Sequence, residues 1–210
     1  MNKRSRMLVV IGMLSGMLLL GGCKKQEVVK EVSPILVTMD GVSLYVGNGT
    51  IHDLLDAGFQ ITADEELKKV IKEDQYLDAR TYFYDYYVSK EEEIYAKFSF
   101  INSQEQEIPY TDAIVYSVSF SFKDGVANLS PIYHTEHMLV DGVNLKGLTP
   151  EETDAAFKSK YETSEEVLAE SGILLKKVYT NGNNKVMVQF DATTMTAESV
   201  IAEVDIQSFK

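Results

Sequence analysis

Tryptophan is absent from this chain of 210 residues, proline occurs four times and cysteine once. A lone thiol cannot close an internal disulfide, so the fold has to be held by packing and hydrogen bonding. Positive charge is also short: 20 lysines and arginines face 32 aspartates and glutamates, for a net charge of -12. Such a balance argues against nucleic acid as a partner and against broad contact with an anionic membrane surface. Nucleophilic machinery is missing too. No Gly-x-Ser-x-Gly elbow occurs, and the acidic runs Asp64-Glu65-Glu66 and Glu91-Glu92-Glu93 read as solvated faces, with nothing pairing two carboxylates as acid and base. The expectation is a protein that is not an enzyme and that carries no cofactor.

What is present begins at the N-terminus. Lys3, Arg4 and Arg6 form a positive segment, and residues 7–20 are an apolar run broken only by Gly12, Ser15 and Gly16. That run is shorter than the ~20 residues a transmembrane helix needs, but it suits the apolar region of a secretion signal. It closes in Leu20-Gly21-Gly22-Cys23, which resembles the lipobox of bacterial lipoproteins. The resemblance implies that residues 1–22 are a signal peptide removed by a dedicated peptidase, and that the Cys23 thiol takes a diacylglycerol thioether bearing acyl chains such as palmitate. Each buried methylene contributes about 0.8 kcal/mol, so two chains hold a protein firmly where one would not. The chain is then expected at the cell membrane, lipid-anchored at Cys23 on the extracytoplasmic side. Residues 23–34 are charged and short of large apolar side chains, and read as a tether. Removing the three signal cations from the net charge of -12 leaves -15 on the mature chain of 188 residues.

A short repeat organises the rest. Asp40-Gly41-Val42-Ser43-Leu44 and Asp141-Gly142-Val143-Asn144-Leu145 agree at four of five positions. A helix start follows each copy. Thr50 stands three residues before Asp53 and caps a helix over 51–57 that Gly58 stops. Thr149-Pro150-Glu151-Glu152 supplies a threonine cap, a proline at the first helical position and the glutamate of a capping box. In the first half, residues 67–71 extend the helical part, and 81–88, 94–101 and 113–122 read as strands. In the last of these, Val118, Phe120 and Phe122 alternate with Ser117, Ser119 and Ser121, the pattern of an antiparallel sheet with one covered face. In the second half, strands at 174–179 and 185–190 flank the hairpin loop Asn181-Gly182-Asn183-Asn184, and 200–206 adds a third. The fold class expected is α+β, two related helix-plus-antiparallel-β-meander halves: residues 35–130 with the longer sheet, and residues 131–210.

The opening Lys146-Gly147-Leu148-Thr149-Pro150-Glu151-Glu152 resembles that of the small BamE-like (SmpA/OmlA) lipoprotein domain, and a tandem of such units is similar to the β-lactamase inhibitory proteins. The likeness covers residues 143–205, and the first half follows only in outline. Two departures stand out. Thr153 occupies a position where that family prefers valine, and the glycine-x-proline that usually closes the helix is missing around 160–163. The resemblance implies a protein-binding or envelope-associated module, and supplies no binding residues.

Candidate sites are few. His134-Thr135-Glu136-His137 places two imidazoles near a carboxylate, but not in the His-Glu-x-x-His arrangement that sets both on one helical face, so no metal is expected. His52 reads as a surface or capping residue. Gly47-Asn48-Gly49-Thr50 precedes a helix, yet lacks the lysine and spacing of a phosphate loop, and a tight turn with a cap accounts for it. The least ordinary segment is Tyr82-Phe83-Tyr84-Asp85-Tyr86-Tyr87. In a regular strand Tyr82, Tyr84 and Tyr86 share one face, and tyrosine's broad ring with a polar tip suits an interface. The function expected is therefore a lipid-anchored, noncatalytic protein that binds another envelope or extracellular protein. The alternative is a carbohydrate- or peptidoglycan-binding module using the Tyr82 to Tyr87 strand.

Overall fold

The computed structural model describes residues 32–64, 66–72, 74–122 and 133–209. The signal segment, Cys23, most of the tether and the expected boundary between residues 130 and 131 lie outside them. In chain order the elements are β1 (Ile35–Met39), β2 (Val42–Val46), α1 (Ile51–Asp56), β3 (Gln60–Thr62), β4 (Tyr76–Leu77), β5 (Tyr82–Lys90), β6 (Glu93–Ile101), β7 (Ile108–Pro109), β8 (Ile114–Ser121), β9 (Leu139–Val140), α2 (Pro150–Phe157), β10 (Thr163–Leu168), β11 (Leu174–Asn181), β12 (Asn184–Phe190) and β13 (Ala197–Val204).

This is a β-rich fold, not the α+β pair of halves that the helix caps suggested. The two α-helices have only six and eight residues. Capping residues fix where a helix starts and say little about how far it runs. Both starts are where the sequence puts them. The Thr50 amide donates to the Asp53 carboxylate at 2.7 Å, and in α2 the Glu152 amide donates to the Thr149 hydroxyl at 3.3 Å while Glu152 accepts from the Thr149 amide at 2.9 Å. After α1 the chain reverses at Gly58, at a φ of +84°, and enters β3. Residues 67–71, expected to prolong the helix, are not helical: Leu67 sits at a φ of +57° and Val70 bridges Thr62 as an extra sheet contact.

Strands from both parts of the chain join one antiparallel sheet in the order β10-β11-β12-β13-β8-β6-β5-β3. The junction is β13 on β8, running from Ser199 opposite Ser121 to Glu203 opposite Ser117. The repeated Asp-Gly motif does not open two separate halves either. Asp40 and Gly41, at φ +47° and +76°, and Asp141 and Gly142, at +49° and +77°, make two matching tight turns. Positive φ at both central residues is what the twist-compatible two-residue turn requires. Both turns belong to one small sheet, β2-β1-β9. By its contacts, Val32–Lys210 is a single compact unit.

The core lies between the large sheet and a cover made of the small sheet and the helices. Val88, Ala96, Phe98, Val118, Ala202, Val186 and Val188, from five adjacent strands of the large sheet, are fully buried. From the cover come Val37, Met39 and Val46 of the small sheet, Ile51 and Leu54 of α1, and Phe157 of α2, each at 0% exposure. Leu55 and Ala156, on the same two helices, are half-buried. Thr153 is fully buried, and its hydroxyl donates to the Thr149 carbonyl at 2.8 Å, so the polar atom is satisfied inside the helix. A network of polar groups fastens α2 to the sheet. Lys177 of β11 donates to Asp154 at 2.6 Å and pairs with Glu166 of β10 at 3.0 Å, and the Tyr179 hydroxyl donates to the other Asp154 oxygen at 2.8 Å. Nearby, the Tyr161 hydroxyl donates to Asp141 at 2.6 Å, tying the end of α2 to the second Asp-Gly turn.

Candidate functional site

The large sheet has two unlike faces. On β8, Val118 and Phe120 point to the core and are buried, while Ser117, Ser119 and Ser121 point the other way and are half-exposed. The same alternation continues on β12, where Val186 and Val188 are buried between half-exposed Lys185 and Met187. A contrast of this kind within single strands is the mark of one covered and one open face.

Register builds the open face residue by residue. Ser119 lies between Lys97 of β6 and Ile201 of β13, and Ile201 lies beside Met187 of β12. One row further along, Ser117 lies between Ser99 and Glu203, and Glu203 pairs with Lys185 at 3.2 Å. Ser121 is opposite Ser199. Five serines, Ser99, Ser117, Ser119, Ser121 and Ser199, therefore floor the middle of the sheet with short side chains. Longer ones rise beside them: Lys97 and the tyrosines on one flank, Ile201, Met187 and Lys185 on the other. The Lys97 ammonium stands 5.0 Å from the centre of the Tyr87 ring, a cation–π contact that fixes both on this face.

Tyr82 and Tyr84 stand on this open face; Tyr86 does not. Tyr82 and Tyr84 pack edge-on against Tyr116 of β8, at centroid distances of 6.5 and 6.2 Å. Tyr86 packs instead with Phe83 at 6.1 Å and Phe100 at 5.0 Å, toward the covered side. A β-bulge separates them. Between Phe83 and Tyr86 the register slips against β6, and Asp85 takes a φ of +58°. One extra residue inverts the alternation of everything beyond it, so Tyr86 leaves the expected face and Tyr87, opposite Lys97, joins it. Tyr116, which the sequence reading passed over, completes the cluster. It sits at a second register shift, in β8 opposite Ser99 and Phe100, and such shifts leave no trace in hydrophobic alternation. Its ring is 5% exposed, and its buried hydroxyl lacks a well-formed hydrogen bond. Burial, reinforced by the neighbouring Tyr84, raises its pKa far above the usual tyrosine value. Tyr84 is the outermost member, 60% exposed.

The other candidates resolve into local structure. His134 donates through Nδ1 to the Glu93 carboxylate at 2.9 Å and lies against the Tyr95 ring, whereas His137 is exposed. Among the described residues no three histidine, cysteine or acidic side chains are grouped as metal ligands. His52 forms an exposed pair with Asp56 one turn along α1, at 3.4 Å. The glycine turn is a packing device: the Gly47 amide donates to the Val115 carbonyl at 2.8 Å, the Gly49 amide to the Tyr45 carbonyl at 2.6 Å, and a side chain at Gly49 would collide with Leu44. Those amides are committed to the fold and have nothing left to offer an anion. Glu91 and Glu92 form the β5–β6 turn, both at positive φ. Among the described residues no helix is long and apolar enough to cross a membrane. Comparison with models of known families, with curated proteins and with solved structures finds no match to this chain.

Proposed function

We propose that this chain is a noncatalytic lipoprotein of the cell envelope, anchored through Cys23 on the extracytoplasmic side, whose open sheet face docks another protein. The anchor rests on Leu20-Gly21-Gly22-Cys23 after a basic and apolar leader. One observation carries the docking surface. The large sheet presents a face floored by small serines and flanked by Tyr82, Tyr84, Lys97, Ile201 and Met187, a mixture of aromatic and apolar groups with a polar surround. Interfaces favour aromatic side chains and methionine in their centres, and a floor of short side chains leaves room for a protruding loop. Ile201 and Met187 stand side by side on that face, both half-buried, and add an apolar contact next to the tyrosines.

The carbohydrate alternative rests on Tyr82, Tyr84 and Tyr87 once Tyr86 is turned away. Two experiments test the proposal. Labelling cells with a fatty-acid analogue should mark the native chain and leave Cys23→Ser unmarked and uncleaved; label kept by the variant contradicts the anchor. Substituting Ser119→Arg should abolish recovery of a crosslinked protein partner while the fold survives, because the arginine fills the floor. Peptidoglycan fragments binding with Tyr84→Ser sensitivity, and no protein adduct, would favour the sugar reading instead.

A further inference from the structure

A second concavity lies at the far end of the sheet, on the covered side. Ala63, Lys69, Val70, Ile71, Gln75 and Leu77 stand opposite residues of β5 and β6 across a cleft of about 240 Å³. Its walls are Phe83, Tyr86, Phe100 and Tyr110, its roof includes Val70, and Lys69 is the charged residue among the described residues that line it. Phe83 and Phe100 are stacked with centroids 5.1 Å apart, and Tyr86 leans on Phe100 at 5.0 Å, so the rings form a preformed surface. Tyr110 is wholly buried at the back, its hydroxyl donating to the Ile71 carbonyl at 3.3 Å.

Backbone strain is spent on building this wall. The bulge at Asp85, with its left-handed φ of +58°, is what turns Tyr86 into the cleft and away from the open face. Bulges commonly re-aim a side chain beside a functional site. Roof and floor are fixed at both ends: the Ile71 amide donates to Ile61 at 3.0 Å, and the Tyr110 amide to Gln75 at 3.0 Å. An apolar cavity of ~150 Å³ holds a benzene molecule, and drug-sized ligands begin near ~300 Å³. A space of about 240 Å³ thus fits one single or fused ring. In a chain of net charge -12, Lys69 among the lining residues gives an approaching anion a positive charge to meet.

From the aromatic walls, the volume and Lys69, we infer that this cleft is a binding site for a small aromatic carboxylate. The ring lies against Phe83, Phe100 and Tyr86, and the carboxylate meets Lys69 at the rim. The site is separate from the serine-floored face, and its occupancy does not depend on the proposed docking function. Titration of the full chain in detergent, followed by ligand-observed NMR, tests it with three probes: indole-3-acetate, its amine counterpart tryptamine, and phenylacetate. Indole-3-acetate is expected to bind, phenylacetate more weakly because it fills less of the cleft, and tryptamine roughly fivefold more weakly or worse for want of an ion pair. Val70→Trp, at a roof position 47% exposed, should plug the cleft and abolish binding without unfolding the chain. Lys69→Ala should erase the difference between acid and amine. Binding of none of the three overturns the site, as does binding that survives Val70→Trp. Equal affinity for acid and amine in the native chain overturns the assignment of charge.

Discussion

The two faces of the eight-stranded sheet are made by alternate residues of the same strands, yet they differ in almost every property. On one side Val118, Phe98, Ala202 and Val186 are wholly buried; on the other Ser117, Ser119, Met187 and Ile201 stay half-exposed. Neighbours in sequence, Val118 and Ser119, thus answer to different constraints. The covered face has to be filled and dry to hold the fold, because packing is the main source of stability. The open face is free of that demand, and its chemistry is available for recognition.

The largest effect that separates the faces is a cavity on the covered one. Phe98→Ala, at 0% exposure, should cost about 3 to 5 kcal/mol, read as a lower midpoint in urea unfolding. A loss below 1 kcal/mol would mean that this face is not the core. Next comes the residue that decides which face Tyr86 belongs to. Asp85→Val should cost roughly 1 to 2 kcal/mol, since a β-branched residue resists left-handed backbone, while Asp85→Gly should be nearly neutral. Equal effects of the two would argue that the bulge is absent in solution.

High pH probes the polar fastening of α2 on the covered side. Burial raises the pKa of Tyr161, and the nearby Asp141 raises it further. Tyr179 is raised by burial and by its bond to Asp154. For Lys177 burial alone would lower the value, but the bonds to Asp154 and Glu166 outweigh it and the pKa rises. All three groups hold their protons more tightly folded than unfolded. Their contribution is complete below the unfolded values, near pH ~10, and is lost as pH climbs through the folded ones. Thermal melts should therefore be flat with respect to these groups around neutrality and fall above pH ~10, and Tyr161→Phe should make the fall shallower. The smallest change expected is at the open face: Tyr84→Ser, at 60% exposure, should alter stability by no more than about 0.5 kcal/mol. A large loss would show that Tyr84 is needed to hold Tyr116.

Much of the sheet was legible beforehand. The strands of β5, β6, β8, β11, β12 and β13 follow from runs of aromatic and β-branched residues, and the alternation on β8 announced a covered and an open face. The turn between β11 and β12 was placed correctly, although Gly182-Asn183 forms its centre, with Gly182 at φ +57°. Three things were hidden for physical reasons. Strand β10 is polar on both faces, Thr163 to Glu166 all being exposed, because an edge strand here has little to bury; no period betrays it. Fold class does not follow from the two helix caps, because a sound cap marks where a helix begins and not how far it runs. Tyr86 lies on the face opposite to the one alternation predicts, because alternation assumes a regular strand, and only the tolerance of Asp85 for positive φ hints at the bulge.

The most direct test of the account places one photo-crosslinking side chain at Ser119, on the open face, and another at Lys158, exposed just beyond α2 on the covered side. Both are introduced into the full chain in intact cells. The account predicts a discrete protein adduct from position 119 that is lost when Tyr84→Ser is added, and none from position 158. No adduct from position 119, or the same adduct from both, would contradict the claim that the open face is where this protein meets its partner.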